Sequence, residues 1–154
     1  MKSEALENMA TFYMALADKT RLRLLNLMKD DEICVCFFTE VLGDSQPKIS
    51  RHLAYLRSAG VVKARRDGKW MHYSINEPAD EKSRQVLQSA LDWLAAKPEM
   101  QKDREKYKNE CRAPEELIKI VRRAEPFIYD DADVYESEKN PRHQGHNELE
   151  EFLL

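Results

Sequence analysis

The chain has 154 residues and a mass of 18.1 kDa, with 42% hydrophobic and 34% charged residues and a formal net charge of −3. That is room for one folded unit plus appendages, and its longest unbroken apolar run, Ile33 to Phe38, falls far short of the roughly 20 residues a membrane helix needs. The charged start Met1–Glu7 carries no secretion pattern, and an odd count of 3 cysteines cannot make a disulfide scaffold, so the expected compartment is a reducing cytoplasm.

The net charge hides a split. Residues 1–96 hold 14 Lys/Arg against 13 Asp/Glu, and the remainder holds 11 against 15. Within the first part, Ser45 to Ile75 carries seven bases (Lys48, Arg51, Arg57, Lys63, Arg65, Arg66, Lys69) against the single acid Asp67. A local basic patch, rather than total charge, is the electrostatic footprint of a phosphate binder.

Leu6, Met9, Phe12, Tyr13 and Leu16 recur at three and four residues, which predicts an amphipathic N-terminal helix. Asp18 is a candidate N-cap for a second helix to about Lys29 that buries Leu22, Leu25 and Met28. Asp30–Glu32 is a polar break. Ile33–Phe38 then leads into a short helix ending near Leu42, and Gly43–Ser45 is a turn. Asp44 or Ser45 caps the next helix, which carries Pro47 in its first turn and runs to about Ser58. Ile49, Leu53 and Leu56 line its inner face. At about 100° per residue, Arg51 points outward, flanked by Lys48, Ser50 and Tyr55.

Gly60 stops that helix, and the pattern becomes strand-like. Val61–Arg66 and Lys69–Ile75 are rich in β-branched and aromatic residues, with Asp67-Gly68 between them as a two-residue hairpin signal. Trp70 and Tyr73 are expected to pack under this hairpin. From about Pro78 a longer helix buries Val86, Leu87, Ala90, Leu91 and Leu94, with Trp93 alongside, and ends at Lys97-Pro98. Gln101–Cys111 is charged and helix-compatible, and Ala113–Val121 reads as a short amphipathic helix. Glu125–Leu154, with nine acids against two bases, reads as flexible. The expected division is a folded unit over 1–97 and a charged C-terminal extension over 98–154.

The expected fold is therefore mainly α with a small β-hairpin, in the order α-α-α-α-β-β-α: a winged helix-turn-helix with a charged extension. A helix fits the B-DNA major groove, and a basic hairpin grips the neighbouring backbone or minor groove. Gln46, Lys48, Ser50, Arg51 and Tyr55 are the candidate readers on the helix, and Arg65, Arg66 and Lys69 surround the hairpin turn. Gln pairs with adenine and Arg or Lys with guanine, whereas hairpin bases favour phosphate.

Four segments in order carry a family resemblance: Ala17-Asp18-Lys19-Thr20-Arg21, Ile33-Cys34-Val35-Cys36, Ser45 to Leu53, and Gly68-Lys69-Trp70-Met71-His72-Tyr73. They resemble the ArsR/SmtB metal-responsive repressors, in the arsenical resistance operon branch, over roughly residues 8 to 96. The resemblance implies a homodimer formed by the first helix and the helix near 80–96, bound to double-stranded operator DNA with one reading helix per half-site. It implies no cofactor for DNA binding, and As(III), Sb(III) or a trivalent methylarsenical as inducer.

Soft thiolates suit soft ions. Two residues apart on a helix, Cys34 and Cys36 would point about 200° apart, whereas an extended or irregular start brings them together. Arsenical repressors of this type often carry a third Cys three residues on, where this chain has Thr39, and Phe37 stands where Asp is common. Three routes complete the set: Cys111 of either chain folding back, a small thiol, or a methylarsenical whose carbon already fills one position. The Cys111 route ranks first because the tail has room to reach. Residues 80–96 lack the His of the zinc-sensing relatives, and none of the extra cysteines of the cadmium and lead sensors precedes Cys34. His143 and His146 read as ordinary residues of a polar tail.

The alternative reading is a redox repressor, in which a disulfide among these thiols replaces the ion. An enzyme is not expected. No Cys has Arg six positions on, no Ser/His/Asp set is evident, and the chain's 4 glycines make no phosphate loop.

Overall fold

The computed structural model describes residues 2–111 and Ile120. The rest of the helix expected over 113–121, the acidic stretch 125–154, and His143 and His146 lie outside the described residues. Helix α1 spans Lys2–Leu16, α2 Lys19–Leu27, α3 Val35–Leu42, α4 Gln46–Ser58, α5 Glu81–Ala95 and α6 Pro98–Lys106. Strand β1 is Ile33–Cys34, β2 Val62–Asp67 and β3 Trp70–Ile75, and a π-helical turn over Tyr107–Cys111 follows α6. No helix among the described residues is long and apolar enough to cross a membrane.

Local chemistry sets the element ends. Asp18 caps α2 by accepting from the Arg21 amide at 2.9 Å, and Ser45 caps α4 by accepting from Lys48 N at 3.4 Å, with Pro47 in the first turn. Helix α5 starts at Glu81 rather than Pro78, because Asp80 accepts from the Ser83 amide at 2.8 Å and fixes the start there. Gly43 ends α3 at φ 72°, a left-handed turn that favours glycine.

The sheet has three strands in the order β1-β3-β2, all antiparallel, where the sequence suggested only a hairpin. Two residues of β1 are too short to show a strand period, and their pairing is tertiary: Ile33 faces Tyr73 and Cys34 faces His72. The hairpin turn is also one residue later than expected. Asp67 pairs with Trp70, leaving Gly68-Lys69 as the loop, with Gly68 at φ 61°. Positive φ at the first loop residue alone is the type II′ arrangement, whose twist suits the flanking strands.

Leu24, Leu25, Ile33, Phe38, Ile49, Leu53, Leu56, Val61 and Tyr73 form the centre of the core, each fully buried. Leu24 rather than Leu22 fills the middle of α2, and Leu22 is half-buried. Of the residues expected to be buried on α5, Leu87 and Leu91 are, Val86, Ala90 and Leu94 are partly covered, and Trp93 is 70% exposed.

The expected division after residue 97 falls inside a packed unit. On α6, Asp103 accepts two bonds from the Arg23 guanidinium at 2.7 and 2.9 Å, and the carbonyl of Met100 accepts from Asn26 Nδ2 at 2.9 Å. Lys106 reaches the Val41 carbonyl of α3 at 3.4 Å, and the Tyr107 and Phe37 rings lie 6.2 Å apart. Composition marks residues 98–111 as solvent-facing, yet Met100, Asp103, Tyr107 and Cys111 are buried. Spaced three and four apart, they form one stripe.

Candidate nucleic-acid interface and thiol pair

Helix α4 buries Ile49, His52, Leu53 and Leu56 and turns the opposite face outward. Arg51 is exposed, and Gln46, Lys48 and Ser50 are half-exposed around it. Lys48 is held at 3.1 Å by Asp44, which lies just ahead of the cap, and Ser50 Oγ donates to the Gln46 carbonyl at 2.8 Å. Tyr55 sits lower on the flank, half-buried, with the Arg21 guanidinium 4.4 Å from its ring centre. The helix thus presents Gln46, Lys48, Ser50 and Arg51 near its N-terminal end, the end that helix-turn-helix proteins direct at base edges.

On the hairpin, Lys69 is exposed at the turn, and Arg66 Nε donates to the Gly68 carbonyl at 3.2 Å. Arg65 is engaged differently. Its guanidinium grips Glu32, just ahead of β1, at 2.6 Å. That contact lowers the Glu32 carboxyl from its usual range. Exposed as it is, the pair is worth little in stability, but it ties the approach to Cys34 to the hairpin.

The two neighbouring cysteines come together. Cys34 is the N-cap of α3 with extended backbone (φ −68°, ψ 142°), and Cys36 lies in the first turn. This break in helical geometry brings the sulfurs to 3.3 Å, with Cys36 Sγ donating to Cys34 Sγ. Both side chains are buried. The Cys36 thiol donating to Cys34 lowers the latter's pKa to about 7 despite burial. Contact with the Cys34 sulfur, then burial, push the Cys36 thiol far up.

Cys111 is 1% exposed in the π-helical turn that packs on α3, where burial and then Glu110 and Glu40 push its thiol up to about 12. It is near enough to Cys36 to contribute to that thiol's upward shift. Still, no three His, Cys, Asp or Glu side chains among the described residues are grouped to hold a metal. The structure therefore joins Cys34 to Cys36 and leaves Cys111 as a buried neighbour.

Sequence reasoning gave no role to Arg21. Its guanidinium is 8% exposed and donates to the Met14 and Ala15 carbonyls at the end of α1, at 2.9 and 3.0 Å. It also lies 3.3 Å from His52 Nδ1 on α4. The available signal was spacing: Arg21 precedes Leu24, Leu25 and Met28 on the same face of α2, where only a paired charge is tolerated.

The model of the family described as "Bacterial regulatory protein, arsR family" matches residues 18–64. The arsenic resistance transcriptional regulator ArsR1 of Pseudomonas putida is 41% identical over 88 residues, covering 54% of this chain and 69% of that protein. The arsenical resistance operon repressor of Escherichia coli is 48% identical over 65 residues, 42% of this chain and 56% of that one. Among solved structures, a homodimeric winged helix-turn-helix DNA-binding domain from Mycobacterium bovis, a possible ArsR-family transcriptional regulator, superimposes with a TM-score of 0.51. It is 29% identical and covers 60% of this chain and 82% of that domain.

Proposed function

The chain belongs to the arsR family of bacterial regulatory proteins, and from that premise we propose that it is a homodimeric operator repressor released by a trivalent arsenical or antimonial bound to Cys34 and Cys36. The observation that carries the inducer class is the 3.3 Å approach of two buried sulfurs at the start of α3. One soft ion can bond both, and the lowered Cys34 thiol supplies a thiolate near neutral pH. The relatives named for arsenic resistance in Pseudomonas putida and Escherichia coli support the same class. Cys111 is the nearest protein source for a third thiolate, and reaching it requires the π-helical turn to shift. A methylarsenical needs only the first two.

Gln46, Lys48, Ser50 and Arg51 read base edges, Tyr55 borders them, and Arg65, Arg66 and Lys69 meet phosphate. The dimer forms through α1 and α5. Leu6, Met9 and Tyr13 on α1 are 68%, 53% and 47% exposed, and Trp93 on α5 is 70% exposed, an apolar surface that a second copy would cover. Release follows from chain order. Clasping both sulfurs fixes the first turn of α3, α3 packs on α4, and α4 loses its seat in the groove.

The test is operator binding by fluorescence anisotropy under strictly reducing conditions, titrated with arsenite, antimonite, methylarsenite, cadmium and zinc. Release by the arsenicals and antimonite, lost in Cys34→Ser and in Cys36→Ser with DNA affinity kept, is expected. Normal release in both variants overturns the reading, and release that needs an oxidant transfers it to the disulfide switch. Cys111→Ser should lose the arsenite response and keep the methylarsenite response. An unchanged arsenite response removes Cys111 from the ligand set.

A further inference from the structure

Arg21 is a buried cation that neither the DNA-reading face nor the thiol pair uses. From α2 its donors reach two other helices. Nε and Nη2 bond the Ala15 and Met14 carbonyls of α1, and Nη1 meets His52 Nδ1 of α4. The guanidinium also covers the Tyr55 ring of α4 at 4.4 Å. Arginine has no acceptor, so in this contact Nη1 donates and His52 Nδ1 accepts. Asp18 caps α2 and brings Oδ1 within 3.7 Å of that same Nδ1. The last turn of α1 has no basic residue of its own, so Arg21 supplies the positive charge that its end carbonyls favour.

Burying a guanidinium is costly unless its donors are matched. A planar fork matched on both sides fixes an angle as well as a distance. We propose that Arg21, acting through His52 and Tyr55, is a positioning residue that sets the angle between the dimer helix α1 and the reading helix α4, and so the half-site spacing the dimer accepts. This rests on the reading of α4 as the groove helix and α1 as a dimer element. A two-fold dimer meets two half-sites only if each reading helix keeps a fixed pose against the helices that join the copies.

The experiment uses the full chain and an operator selected by the wild-type protein from random duplexes. Anisotropy is then measured on inverted repeats whose half-sites are moved apart or together by one and two base pairs. The wild-type chain should prefer one spacing sharply. Arg21→Lys and His52→Leu should flatten that preference by about tenfold. His52→Asn, whose side-chain oxygen can accept in place of Nδ1, should restore it. His52→Leu leaves both carbonyl bonds of Arg21 intact, so the test does not depend on Arg21→Lys folding.

Equal weakening at every spacing is what simple destabilisation gives, and it overturns the proposal. So does an unchanged spacing curve in His52→Leu. If Arg51→Ala loses base preference while that curve stays unchanged, only the positioning role of Arg21 fails. If the wild-type chain prefers no sequence and no spacing, the DNA-reading assignment fails, and this inference with it.

Discussion

Arg51 and Lys69 are both exposed cations, but they sit on different supports and should fail differently when removed. Arg51 stands on a capped helix, at the end proposed above to meet base edges. Arg51→Ala should cost the operator about 1–3 kcal/mol and relax base preference, while Lys69→Ala should weaken operator and scrambled DNA alike and reduce the salt slope by about one. Affinities on both duplexes across a salt series check this, and equal losses on the two DNAs for Arg51→Ala would remove it as a reader. The thiols offer a second prediction at this scale. With Cys34 lowered to about 7, its thiolate is absent at lower pH and present above, so its reaction with a small thiol reagent should accelerate as pH rises through 7. Cys36→Ala removes the donor and should move that rise up toward the ordinary thiol range. A rate profile left unmoved by Cys36→Ala would show that the sulfur contact does not set it.

Capping distances rank the helices at the scale of elements. Asp18 meets the Arg21 amide at 2.9 Å, and Ser45 meets Lys48 N at 3.4 Å. Asp18→Ala should therefore cost about 1–2 kcal/mol and Ser45→Ala about 0.5–1 kcal/mol, and urea unfolding of the two variants tests the order. These caps were legible in the sequence because a short polar side chain before an apolar helical period has few other uses. So were α1, α4 and both long strands. Strand β1 was not legible, since Ile33-Cys34 is a strand only because β3 lies beside it. The joining of Cys34 and Cys36 was legible as a condition, an extended start to α3, and the N-cap geometry of Cys34 meets that condition. His52 was legible at the edge of the apolar face of α4 as a packed, hydrogen-bonded histidine rather than a base reader, and it is buried there; the pairing of Arg21 was illegible, because it depends on partners on other helices.

For the whole molecule, the informative boundary is the one that composition misplaces. Helix α6 looks like the start of a charged tail, yet it closes the far side of α2 with the fork from Arg23 to Asp103 and the Asn26–Met100 bond. A chain ending after residue 97 should unfold roughly 5 °C or more below the full chain, whereas one ending after 121, which keeps the buried Ile120, should stay close to it. Thermal unfolding of the two truncations decides, and equal melting would mean that α6 adds nothing to the core.

Cys34 has one further tie, through the sheet. It faces His72 of β3 across the ladder, and the residue two before it, Glu32, holds Arg65 of β2. Cys34 is thus stitched into the sheet that carries the hairpin as well as set at the start of the helix that packs on α4. If Cys34 is the inducer thiol proposed above, a tug at its sulfur should pull on both jaws of the clamp, so that groove and flanking backbone are let go as one event rather than in sequence.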